Sequence, residues 1–181
     1  WSSDVCSSDL MTLSIDCGGL SLKASVLDEA GTMHAQSVSV PTPYPLSPTL
    51  LMETFAEMAK KLPKFDRITV GFPGMVRHGV IVYTPHYINV RGPRTKVDPE
   101  LAEAWRGYDL QSNLTEFFGK PALVLNDAEV HGAGVVAGTG FEVMLTLGTG
   151  LGCAIFDGGK LLPHIEFSHA PIRRGTMYDE W

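Results

Sequence analysis

Cysteine is scarce: Cys6, Cys17 and Cys153 are the only three in 181 residues. They are too few and too scattered for a disulfide framework, and no C-x-x-C pair is present to begin a zinc cluster. Cys17 and Cys153 lie in apolar runs and read as buried free thiols, which suits a reducing cytoplasm. Positive charge is also short. Fourteen Lys and Arg against twenty Asp and Glu leave a net charge of −6. The chain therefore has no general electrostatic footprint for nucleic acid or an anionic membrane. No stretch approaches the ~18 apolar residues of a membrane span, and no basic-then-apolar secretory leader is visible. With 44% apolar and 19% charged residues, global disorder is excluded. What the chain has in quantity is glycine, 19 residues, and its clusters carry the argument that follows.

Both ends read as foreign to the rest. Residues 1–10 (WSSDVCSSDL) are rich in Ser and Asp, lack periodicity, and are expected to be a foreign leader or cloning remnant. Met11 then opens a clean strand pattern, and Trp181 stops a few residues into a new segment, as a fragment would. Between them, Thr12–Cys17, Leu22–Leu27 and Met33–Val40 alternate as three strands of an antiparallel meander. Ser47 and Pro48 begin a helix expected over 48–62, ended by Pro63. Arg67–Phe72 is a strand, residues 79–83 a shorter one, and 84–107 a long loop with a short helix at 99–105. Asp109 caps a helix over 110–118 that Gly119 stops. Ala122–Leu125 reads as a buried strand and 128–137 as a helix. Glu142–Leu147 and Leu151–Asp157 are strands, the second turning at Asp157-Gly158-Gly159-Lys160. This order predicts an α/β fold with a mixed sheet and flanking helices.

Four constellations could do chemistry. In Ile15-Asp16-Cys17-Gly18-Gly19, closed by Ser21 and Lys23, a glycine pair after a strand lets backbone N–H groups approach an anion. The strand-end aspartate can hold magnesium through water. An ordinary glycine-rich hairpin fits the same residues. Leu147-Gly148-Thr149-Gly150-Leu151-Gly152 repeats the logic and adds a hydroxyl. Asn126-Asp127 follows an apolar strand and begins a helix. Either Asp127 caps that helix, or it stands at the carboxyl edge of a sheet, where it can take the proton of an attacking hydroxyl. In Glu166-Phe167-Ser168-His169 a carboxylate and an imidazole three apart can converge on sugar hydroxyls, although a solvated turn fits too. A decoy is Gly132-Ala133-Gly134-Val135-Val136-Ala137. It matches a dinucleotide fingerprint, but its first glycine falls inside a helix instead of directly after a strand. These small residues are expected to permit close helix packing. His34, His78, His86, His131 and His164 show no metal spacing.

Taken in order, Asp-x-Gly-Gly, Gly-x-Pro-Gly, Asn-Asp-Ala, Gly-Thr-Gly-x-Gly and Glu-x-x-His resemble the ROK family of sugar kinases over about residues 11–175. Leu145–Gly152 and Pro163–Glu166 are similar to the polyphosphate-type glucokinases in particular. The resemblance implies a ribonuclease-H-like fold of the actin and hexokinase type. Residues 11–126 would be the first lobe and 127–181 the start of an incomplete second. Asp16, Gly18, Gly19 and Lys23 would serve the first phosphate and magnesium site, and Gly148, Thr149 and Gly150 the second. Asp127 would be the general base toward the 6-hydroxyl of a hexose, with Asn89, Asn126, Glu166 and His169 on the sugar. Mg2+ and either ATP or polyphosphate would be required, in a cytoplasmic enzyme that is a homodimer at full length and engages neither nucleic acid nor membrane. No protein-bound zinc is implied, because residues 170–181 contain no cysteine. Two positions depart from the family pattern. Leu20 stands where a hydroxyl residue is usual, and Ser168 stands where glycine is. The rival readings are a non-catalytic sugar-binding ROK regulator and an unrelated α/β nucleotide-binding domain.

Overall fold

The computed structural model describes residues 10–147, 151–165, 167, 171–173 and 176–177. Strand alternation builds the first layer. β1 (Thr12–Cys17) buries Leu13, Ile15 and Cys17, and β2 (Ser21–Leu27) buries Leu22, Ala24 and Val26. The two pair antiparallel from Thr12↔Leu27 to Cys17↔Leu22. β3 (Val38–Pro41) joins β2, also antiparallel. The third strand thus begins at Val38, not at Met33 as expected. The Asp28 carboxylate accepts the Ala30 and Thr32 N–H groups and bonds the His34 ring, which draws the chain into a wide loop. Only an isolated bridge, Leu27↔Met33, remains of the earlier pairing.

α1 (Pro48–Ala59) starts where Ser47 accepts the Leu50 N–H, and it buries Leu51, Met52, Phe55 and Met58. It stops short of Leu62, because Lys61 and Leu62 turn back onto Met58 and Ala59 in the tighter i→i+3 pattern. The residue before Pro63 disfavours helical geometry. β4 (Arg67–Phe72) then pairs parallel with β1. The next strand proves to be a hairpin, β5 (Met75–Arg77) and β6 (Val80–Tyr83). α2 (Pro99–Trp105) and α3 (Leu110–Phe118) are capped by Asp98 and Asp109, and β7 (Tyr108–Asp109) pairs with β6. β8 (Ala122–Asn126) pairs parallel with β4 and closes a five-stranded mixed sheet, β3-β2-β1-β4-β8. As an edge strand β8 is only half buried: Val124 and Asn126 face inward and Leu123 is exposed. The main core lies against this sheet. It joins Leu13, Val70 and Phe55 to an aromatic group of Phe72, Tyr87, Trp105 and Tyr108.

α4 (Asp127–Ala133) follows β8 directly. It ends before the expected residue 137, because the Glu142 carboxylate captures the Ala137 and Gly138 N–H groups and pulls the chain off the helix axis. β9 (Phe141–Leu147), β10 (Leu151–Asp157) and β11 (Lys160–Leu161) form a separate antiparallel sheet. The glycines of its β10–β11 turn have φ of +55° and +76°, a conformation glycine adopts without steric cost. β12 (Pro171–Arg173) and β13 (Thr176–Met177) pair as a short ribbon. Among the described residues, no helix is long and apolar enough to cross a membrane.

Candidate active site

Three parallel strands end side by side. Asp16 of β1 stands opposite Gly71 of β4, Gly71 opposite Leu125 of β8, and Phe72 opposite Asn126. Neighbouring strands lie about 4.8 Å apart, so Asp16 and the Asn126-Asp127 corner, with β4 between them, are two strand spacings apart, roughly 10 Å. This is the carboxyl edge of the sheet, where open α/β folds bind ligands.

α4 brings Asp127 to that edge through two close approaches. A Cβ on Gly71 would lie 3.3 Å from the Asp127 Cα, and a Cβ on Gly152 would lie 2.9 Å from the Ala128 Cβ and against the Thr146 hydroxyl. Farther along, a Cβ on Gly132 would meet the Phe156 ring at 2.7 Å and Ala154 at 3.2 Å. The helix therefore runs along β10 from the Gly152 end toward Phe156. Its N-terminus sits at the end of the β9–β10 hairpin where Leu147 pairs with Leu151. Gly132 belongs to this packing face, as its place inside a helix predicted. Gly148, Thr149 and Gly150, expected to bind phosphate, lie outside the described residues, as do Glu166 and His169.

The first glycine turn is anchored from behind. The Gly18 carbonyl accepts from the Thr42 hydroxyl at 2.8 Å and from the Tyr87 hydroxyl at 3.2 Å. The Gly19 carbonyl accepts from the Tyr44 hydroxyl at 2.9 Å, and the Leu20 carbonyl from the Thr42 N–H at 3.1 Å. A trans peptide holds each N–H opposite the preceding carbonyl. Pinning the Gly18 and Gly19 carbonyls therefore aims the N–H groups of Gly19 and Leu20 the other way, as an anion cradle needs. The glycines also permit close packing behind the turn. A Cβ on Gly18 would strike the Ser21 carbonyl at 2.7 Å, and one on Gly19 would strike Pro93 at 2.7 Å, so their open faces are filled by protein. Leu20, where a hydroxyl was expected, is 81% exposed at the tip.

Burial pushes the Tyr44 phenol up to about 12. Burial also drives the Tyr87 phenol well above its ordinary value, so both stay protonated donors. The Cys17 thiol is raised first by burial and then by the Asp16 charge, with a smaller push from Asp127. The field of Asp127 thus reaches the end of β1. Lys23 faces Asp16 across the hairpin at 3.9 Å, and both side chains are substantially exposed. Among the described residues no group of three His, Cys, Asp or Glu could cage a metal. Magnesium needs no such cage: it keeps its waters and takes one or two carboxylates plus substrate phosphates. Asp16 beside the cradle fits that requirement.

Asn126 has a structural role. Its Oδ1 accepts the Ala128 N–H at 2.8 Å, and its Nδ2 donates to the Gly74 carbonyl at 2.8 Å. Glu129 completes a capping box by accepting the Asn126 N–H at 3.0 Å. Asn89 is buried, with Nδ2 turned onto the Pro85 and His86 carbonyls. Asp127 is half buried, its Oδ1 on the Ala128 N–H at 2.9 Å. Sequence reasoning missed the anchors Thr42, Tyr44 and Tyr87, which no local motif marks. It also passed over Glu129, although Asn-x-x-Glu before a helix is a capping-box signature.

The ROK family profile matches residues 12–164. This chain belongs to the ROK family. It is 29% identical over 167 residues to a polyphosphate glucokinase of Mycobacterium tuberculosis strain CDC 1551, covering 87% of this chain and 57% of that protein. It resembles the crystal structure of an inorganic polyphosphate/ATP-glucomannokinase from Arthrobacter sp. strain KM, with a TM-score of 0.76 and 29% identity over 94% of this chain and 67% of the other. A ROK family glucokinase from Streptomyces griseus, solved with glucose and AMPPNP, matches with a TM-score of 0.68 and 25% identity over 91% of this chain and 51% of that one. The chain thus spans about half the length of the curated relatives it matches. The fold is that of the actin- and hexokinase-like ROK kinases, as the motif order implied.

Proposed function

We propose that this ROK chain is part of a hexose kinase that moves a phosphoryl group from ATP or polyphosphate to the 6-hydroxyl of glucose. The observation that carries the reading is the position of Asp127. It is a half-buried carboxylate on the first turn of α4, between the carboxyl end of β1 and the start of β10. Phosphoryl transfer asks little covalent chemistry of a protein; it asks for positioning and for charge neutralisation. In this reading the Gly18-Gly19 turn and the Gly148-Thr149-Gly150 turn cradle the donor. Asp16 and Lys23 stand beside the first cradle. Bound Mg2+ would supply neutralisation of the phosphate charge. Asp127 accepts the proton of the sugar hydroxyl as it attacks. Asn89, Asn126, Glu166 and His169 are assigned to the sugar. Asn126 does so with its remaining hydrogen and lone pair, since its first ones cap α4 and hold Gly74.

The lobe boundary is proposed at 126/127, where the five-stranded sheet ends and α4 begins. A cytoplasmic homodimer of the whole protein completes the reading. The named activities of the similar proteins support it. The test is formation of glucose 6-phosphate by the whole protein containing this chain, given glucose, Mg2+ and each donor in turn. Product with either donor upholds the proposal. Glucose binding without product from either donor favours the regulator instead.

A further inference from the structure

The loop between β6 and α2 carries charge that the kinase reading leaves without a role. Residues 84–97 include Arg91, Arg94 and Lys96 and not one carboxylate, in a chain of net charge −6. All three cations are exposed, and among the described residues none of them forms an ion pair. The loop is nonetheless built. The Val90 N–H donates to the Lys96 carbonyl, the Arg91 N–H to the Thr95 hydroxyl, and the Thr95 N–H and hydroxyl both to the Gly92 carbonyl. Arg94 is held at φ +63°, a left-handed conformation that a side chain-bearing residue adopts only at a cost of about 1–2 kcal/mol. Thr95 and the backbone fix this shape, and the cations are left out of it.

The loop also touches the first glycine turn. Pro93 and the His86 ring fill the space where a Gly19 Cβ would stand, at 2.7 and 3.4 Å. A Cβ on Gly92 would lie 3.2 Å from the ring of Tyr44, whose hydroxyl holds the Gly19 carbonyl. Arg94 is one Cα step, about 3.8 Å, beyond Pro93. Three cations in six residues therefore begin where the turn ends. Like charges brought together without partners cost free energy, and an anion that spans them recovers it.

We propose that Arg91, Arg94 and Lys96 form a track that leads outward from the Gly18-Gly19 turn and holds the tail of a linear inorganic polyphosphate. The inference rests on the kinase reading and narrows its donor. A nucleotide ends its charge at the ribose and then needs a slot for a flat base. Between Arg91 and Lys96 the only apolar ring is Pro93, already spent on Gly19. A polyanion with charge at every repeat matches a row of cations instead.

The test is calorimetric titration of the whole protein containing this chain with medium-length inorganic polyphosphate, and separately with ATP, across a salt series. The triple variant Arg91→Gln/Arg94→Gln/Lys96→Gln is compared with Lys60→Gln/Lys61→Gln/Lys64→Gln, an equal charge change at the far end of α1. The loop variant is expected to lose ~10-fold or more in polyphosphate affinity and to flatten the salt dependence, with ATP affinity and the control variant within ~2-fold. Thermal melting checks that both variants fold, since the side chains replaced make none of the loop's hydrogen bonds. Equal losses in the two variants, an equal loss for ATP, or no polyphosphate binding at all overturns the track. Binding is read without sugar or turnover. A whole protein that fails to phosphorylate glucose yet shows loop-dependent binding therefore sinks the kinase reading and keeps the track. ATP-driven phosphorylation without loop-dependent polyphosphate binding does the reverse.

Discussion

The Glu129 carboxylate and the His164 imidazole meet inside the protein, Oε1 to Nδ1 at 3.5 Å, with side chains 6% and 3% exposed. The other Glu129 oxygen accepts the Asn126 N–H, and the His164 carbonyl accepts from Arg77. At 3.5 Å the contact is long for a hydrogen bond. Its importance is spatial: it ties the segment after β11 to the cap of the helix that carries Asp127.

Removing that tie should be felt in stability. Glu129→Ala strands the buried Asn126 N–H and is expected to cost about 1–3 kcal/mol. Glu129→Gln, whose amide oxygen can still accept, should recover at least half of that. Urea denaturation of the two variants measures both, and equal losses would show that the capping bond contributes nothing.

The strand alternation of β1, β2 and β4, and the caps at Ser47 and Asp109, were legible because each follows from its own few residues. Two of the shortfalls share one kind of cause. Asp28 and Glu142 each captured nearby backbone N–H groups, delaying a strand in one case and ending a helix in the other where local pattern would have continued. The candidate site was legible as motifs and not as a mechanism of support. Asp16, Gly18, Gly19 and Asp127 announced themselves, but Tyr44 and Tyr87 hold the turn from 25 and 69 residues away. No spacing rule reaches that far.

Packing distinguishes two glycines at the end of α4, Gly132 inside the helix and Gly134 at its C-cap. Gly132→Ala would drive a methyl into Phe156 and Ala154 and should destabilise by about 1–3 kcal/mol. Gly134→Ala meets nothing nearer than 3.5 Å at an ordinary helical φ and should stay within about 0.5 kcal/mol of the parent or gain slightly. Thermal unfolding of the pair decides it. A neutral Gly132→Ala would remove the close-packing account and reopen the dinucleotide fingerprint.

The Tyr44 hydroxyl should leave a signature at high pH. Its phenol sits near 12 in the folded chain against about 10 when unfolded, so the folded state holds the proton more tightly. That contribution is complete below pH ~10 and drains away as pH rises toward ~12. Other raised groups share the window, so the readout is a difference: Tyr44→Phe should show a shallower loss of stability between those limits than the parent. Superimposable profiles would mean that the folded chain does not hold the Tyr44 phenol out of water.

The central claim is that Asp127 takes the proton from the attacking sugar hydroxyl, and Asp127→Asn in the whole protein tests it most directly. The account predicts that kcat for glucose phosphorylation falls ~10²-fold or more while the glucose KM moves by less than about threefold. An Asp127→Asn enzyme that turns over at the parental rate would contradict it.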